Sequence, residues 1–126
     1  MHSVTSNAVA QKIATIGQTF EVIYNGDTYD DTSHALSKSI TNFRFICIGL
    51  RTNSDYDYIL MPSTMIGINT RYVRTAMGAE GTPVTLPFPY QSTCMVTFLS
   101  NTSFKCKSLY NNVNWVLKVY AIWGVN

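Results

Sequence analysis

The chain has 126 residues and a net charge of +2, nine Lys and Arg against seven Asp and Glu. Only 13% of its residues are charged, well below the roughly 25% of an ordinary soluble domain. The length holds one domain with its own core plus a short appendage. The basic residues are scattered, with Lys105 and Lys107 the only close pair in a strand-like run, which argues against a nucleic-acid-reading stripe.

The first element is a short helix over Ser3 to Gly17. Val9, Ile13, Ile16 and Phe20 recur at alternating four- and three-residue steps, the a/d seam of a coiled coil, with Gln11, Lys12 and Thr15 off the seam. Isolated helices shorter than about 12 to 15 residues are marginal in water, so this stripe requires a partner. Ile at both kinds of seam position, Ile13 and Ile16, favours three strands over two. These four residues are the predicted trimer interface, and residues 1–19 the predicted stem. Residues 20–126 are the predicted β-domain.

After Gly17 the period changes from helical to alternating. Phe20 to Tyr24 reads as a strand, and Asn25-Gly26-Asp27 as a turn. Thr28 to Ser39 is polar loop or edge structure, with Leu36 and Ile40 as inward anchors. Asn42 to Thr52 has the near-continuous hydrophobicity of a central strand. The turn Asn53-Ser54-Asp55 leads into Tyr56 to Pro62, so Phe43–Arg51 and Tyr56–Met61 form the best hairpin in the sequence. Thr64–Ile68 and Arg71–Ala76 suggest a weaker second pair around Asn69-Thr70. A glycine-bearing loop, Met77 to Thr82, precedes Pro83 to Tyr90, whose three prolines place it at a sheet edge. The last strands are Thr93–Leu99, Phe104–Leu109 and Asn114–Trp123. About eight short strands at regular spacing predict a mainly β, antiparallel β-sandwich of jelly-roll-like type behind one coiled-coil helix.

Parts for catalysis are missing from this pattern. The sequence has no G-x-S-x-G, P-loop or dinucleotide fingerprint. His2 and His34 are far apart, and His34 has no Cys or carboxylate at ligand spacing, so neither a metal nor a cofactor is expected. Asp27, Asp30, Asp31 and Asp55 fall in turn-like segments, where Asp normally bonds nearby backbone N–H groups. Three cysteines, Cys47, Cys94 and Cys106, form no C-x-x-C pair. A tight turn over Ser100 to Phe104 would set residue 98 against 106 and Cys94 about four residues from Cys106, which predicts no bridge. The Met1-His2 start leads into a polar capping sequence, so no signal peptide is expected. The apolar runs are strand-length, short of the roughly 20 residues of a membrane helix.

Aromatic side chains are the best binding elements on offer, because Tyr and Trp stack on sugar rings and also hydrogen-bond from their rims. Tyr56, Tyr58, Tyr72, Tyr90, Tyr110 and Trp115 fall in or beside loops and strand ends, where binding residues concentrate. With Asp57 they make the candidate ligand-binding set. Trp123, embedded in Val119 to Ile122, reads as core or interface.

Two stretches carry a family resemblance. Ser3-Val4-Thr5-Ser6-Asn7-Ala8-Val9-Ala10 resembles the "PVTSNAVA" segment of tail-fibre and baseplate-associated proteins of phages and prophages, with Ser3 where proline often stands. The segment Leu117 to Val125 is similar to the "L-I-Y-G-I" endings of the same modules. The resemblance covers both ends, about a fifth of the chain. It implies a carboxy-terminal tip of a fibre or receptor-binding protein, homotrimeric, joined to an upstream fibre or baseplate protein and located in the virion. The expected activity is non-enzymatic binding of bacterial surface polysaccharide during adsorption, with no nucleic-acid partner and no membrane insertion. The alternatives are a structural virion protein, such as a head fibre or baseplate component, and a fragment of a polysaccharide depolymerase, which would need paired carboxylates.

Overall fold

The computed structural model describes residues 19–78 and 90–126. Among them run eight strands: β1 (Phe20–Thr28), β2 (Asp30–Ala35), β3 (Phe45–Arg51), β4 (Tyr56–Pro62), β5 (Arg71–Gly78), β6 (Tyr90–Ser100), β7 (Ser103–Tyr110) and β8 (Lys118–Val125). They form two four-stranded antiparallel sheets, sheet I in the order β1-β8-β3-β4 and sheet II in the order β2-β7-β6-β5. The only helical segments among the described residues are single 3-10 turns at Ile40–Asn42 and Ser63–Met65. The predicted stem helix with Val9, Ile13 and Ile16 lies outside the described residues. So does the predicted proline-rich strand, except Tyr90, which opens β6.

The inward faces of the two sheets share one core. Ile23, Ile46, Ile48, Leu50, Val119 and Ile122 come from sheet I, and Cys94, Val96, Phe98, Phe104 and Cys106 from sheet II. Leu36 and Ile40 close it from the connecting segments, as their apolar character among polar neighbours predicts. Strand β3 lies between β8 and β4 and is buried on both faces from Ile46 to Leu50. A strand so covered has no need to alternate with polar residues, which explains its continuous apolar run. Two buried serines hold the segment entering β8. Leu117 N–H donates to Ser92 Oγ at 2.9 Å, and Ser108 Oγ donates to the Leu117 carbonyl, so a peptide crossing the core keeps both hydrogen bonds.

The β3–β4 hairpin has the turn and arms read from the sequence, in register from Phe45↔Pro62 to Arg51↔Tyr56. Its turn is capped by buried Thr52, whose Oγ1 accepts from the Asp55 N–H at 3.0 Å. Three local expectations are corrected. Asn25-Gly26-Asp27 makes no turn: the segment stays in β1 as an irregularity between Asn25↔Ala121 and Thr28↔Val119, because pairing with the distant β8 continues past it. Thr64–Ile68 is not a strand, since Ser63–Met65 is a 3-10 turn and the partner of β5 is β6. The β6–β7 loop is tighter than expected, with Phe98 opposite Phe104 and Val96 opposite Cys106. Cys94 and Cys106 are therefore diagonal neighbours with sulfurs 2.9 Å apart, both reduced and buried. The hydrogen bond with Cys106 and, after it, burial push the Cys94 thiol up.

Candidate functional site

The predicted binding residues do not converge. Tyr56 and Tyr58 project from β4 at the edge of sheet I, Tyr56 meeting Tyr120 edge to face with centroids 5.5 Å apart. Asp57, between them, serves as a latch. Its carboxylate accepts from Arg74 Nη1 at 2.9 Å, and Arg74 Nη2 donates to the Tyr58 carbonyl at 3.3 Å, which ties the edge of sheet I to the edge of sheet II. Tyr72 holds the crossover: its hydroxyl accepts from Gly67 N–H at 2.8 Å and donates to the Met65 carbonyl at 3.3 Å. Tyr110 is exposed at the far end of β7, against Tyr29. Trp115 is only 5% exposed, so it belongs to the packed interior and offers no ring to an outside ligand. Of Tyr90 only the strand position is described. Among the described residues no group of three or more His, Cys, Asp or Glu is arranged to hold a metal ion.

An open concavity of about 800 Å³ lies elsewhere, on the outer face of sheet II. Period-two alternation builds it. Cys94, Val96 and Phe98 turn into the core, which sends Met95, Thr97 and Leu99 outward; Phe104 and Cys106 inward send Lys105, Lys107 and Leu109 outward. Arg71 and Val73 contribute from β5, Asn69 from the loop before it, and Asp31 from β2. Asn69 and Asp31 both have left-handed backbones, φ 63° and 70°, which Asn and Asp tolerate better than most residues. In β2 the register slips between Asp30 and Ser33, and Asp31 lies in that irregularity with its carboxylate 3.4 Å from Lys105 Nζ.

Cross-strand pairing sorts these side chains into rows. Ser33, Lys105, Thr97 and Arg71 are successive partners across all four strands. Asp30, Lys107, Met95 and Val73 form the next row, and Leu109, Thr93 and Thr75 the one after. Three cations and the Asp31 carboxylate line the concavity itself. Among the described residues, Arg71 and Lys107 hold no carboxylate, whereas Arg51, Arg74 and Lys38 are paired with Asp27, Asp57 and Glu21. Hydrogen bonding to Asp27 raises the Arg51 pKa, so that guanidinium is committed to its own ion pair.

The i, i+2 spacing of Lys105 and Lys107 does announce two cations on one strand face. Arg71 joins them through a long-range pairing that no local signal marks. No family model matches the chain, and no curated protein matches it closely enough to count as a relative.

Proposed function

We propose that this chain is the receptor-binding tip of a phage tail fibre, a non-enzymatic homotrimer that binds host-surface carbohydrate during adsorption. The observation that carries the binding part is the open face of sheet II, where three cations, the Thr97 hydroxyl, the Asn69 amide and aliphatic side chains line one concavity. The phage context rests on the resemblance at Ser3–Ala10 and Leu117–Val125, and the trimer on the seam Val9, Ile13 and Ile16, since Phe20, the fourth seam residue read from the sequence, is paired with Val125 in β1. Phe20 is half-exposed at the start of β1, beside exposed Val22. The jelly-roll-like reading draws on the nested pairs β1–β8 and β2–β7, while β3–β4 and β5–β6 are local hairpins.

Adsorption of the labelled chain to candidate host cells tests the receptor role: saturable binding supports it, and its absence on every host leaves the structural alternative. That second reading, a virion component binding only other phage proteins, is favoured by exposed Phe20, Val22 and Leu60 on sheet I, which suit a protein partner. Light scattering tests copy number. Ile13→Asp, which puts a charge in the seam, is expected to shift a trimer toward monomer, and a parent chain that is already monomeric at micromolar concentration removes the trimer.

A further inference from the structure

The outer face of sheet II also specifies the charge of its ligand. Neighbouring strands lie about 4.8 Å apart, so Lys105 and Arg71, two strands apart in one row, are separated by roughly 10 Å at the backbone. Lys107 is two residues further along β7, about 7 Å away. The three cations form a triangle on a concave surface whose floor includes Val73, Met95 and Leu109. Like charges held together repel, and a low-dielectric concavity focuses their field outward. Asp31 offsets one of them; Arg71 and Lys107 are exposed and form no ion pair among the described residues, with Asp30 opposite Lys107 in the β2–β7 ladder. The lining therefore keeps an excess of positive charge that suits an anion.

We propose that this face binds an anionic polysaccharide, with Arg71, Lys105 and Lys107 holding carboxylate or phosphate substituents of successive sugar units. For the sugar component this rests on the receptor reading above; the anion requirement stands on the charge arrangement. Among the described residues the lining contains no aromatic ring, and sequence-tolerant binding of single-stranded nucleic acid depends on bases stacking on such rings. The Thr97 hydroxyl, the Asn69 amide and the aliphatic walls suit sugar hydroxyls and ring C–H groups, and the guanidinium and ammonium groups suit the acid.

Titration calorimetry on the full chain provides the test, with four polymers of matched length: polygalacturonate, poly(glycerol phosphate), neutral dextran and oligo-dT. One or both of the acidic polymers should bind saturably, weaken as salt screens the contacts, and leave dextran unbound. The two acidic arms distinguish carboxylate from phosphate. Arg71→Gln with Lys107→Gln should weaken binding roughly tenfold or more. Lys107→Glu, a single exposed change, replaces that pair if the double variant melts early. Asp31→Asn keeps a residue tolerant of the left-handed backbone while removing the competing carboxylate, and should tighten binding severalfold, an outcome no merely structural role of Asp31 predicts. Equal binding of dextran, no binding of either acidic polymer, or unchanged affinity in the cation variants overturns the proposal, as does preference for oligo-dT, which would make this a nucleic-acid face. Host adsorption that survives the cation variants removes this site but keeps the receptor reading. Acidic-polymer binding without adsorption to any cell does the reverse.

Discussion

The two sheets have the same number of strands, the same antiparallel pairing and a common core, yet their outer faces are opposites. On sheet I the outer face is itself packed: Cys47, Ala121, Trp123 and Val125 form a second buried cluster with Phe45 and Tyr120 against it, and Trp123 is only 4% exposed. On sheet II the outer face stays open, with Val73 55% and Leu109 57% exposed among cations. The difference lies in side-chain size and in one bulge. Strand β8 carries an extra residue between Val119 and Ala121, and the Tyr120 ring meets Trp123 edge to face, with centroids 5.9 Å apart. Gly49 makes room beneath them, since a Cβ there would stand 2.8 Å from the Trp123 ring and 2.9 Å from that of Tyr120. The outer face of sheet I is packed at its centre, with Phe20, Val22 and Leu60 exposed on its edge strands, whereas that of sheet II is open across its middle strands.

Substitutions should divide along the same line. Trp123→Ala removes the largest member of the sheet I cluster and should cost about 3 to 5 kcal/mol, read as a lower urea midpoint; a loss near zero would mean that the outer cluster is decorative. Alkaline pH attacks the same cluster without mutation. Burial pushes the Cys47 thiol from its ordinary value near 9 up to about 12. The folded chain thus keeps a proton that the unfolded chain releases. The contribution is intact below pH 9 and is lost as the pH rises from 9 toward 12, reaching roughly 4 kcal/mol at the upper end. Unfolding of the parent and Cys47→Ala, followed across that range, should converge, and parallel curves would contradict the burial argument. Gly49→Val forces the two rings apart and should cost about 1 to 3 kcal/mol, visible in the same melts. Leu109→Ser, on the open face, should stay within about 0.5 kcal/mol; a larger loss would show that sheet II is packed against something in solution and would dissolve the contrast.

Sequence reading recovers what local pattern encodes. The β3–β4 hairpin is legible because aromatic and β-branched arms flank a polar turn, and β2 is an edge strand as its polarity suggests. Leu36 and Ile40 are legible as lone apolar residues in a polar stretch. What fails is decided by distant partners. Asn25-Gly26-Asp27 has turn chemistry, but its hydrogen-bonding partner is β8, almost a chain length away, and that pairing overrides the local preference. A two-residue error in the β6–β7 register is enough to hide the contact between Cys94 and Cys106. The site divides likewise. Tyr72 and Asp57 look like surface binders until their crossover and inter-sheet bonds are seen, and Arg71 reaches Lys105 only through two successive strand pairings.

Thr19 and Asn126 exchange two backbone hydrogen bonds, of 2.9 and 2.8 Å, extending the β1–β8 ladder by one pair beyond Phe20↔Val125. This junction is mechanical as well as structural. Ladder bonds run perpendicular to their strands, so tension entering at residue 19 along the axis of β1 shears the ladder as a whole rather than peeling it bond by bond. The load passes through β8 to β3, the two central and largely buried strands of sheet I. Tension drawn along the axis of β1 would therefore load the domain in its strong direction.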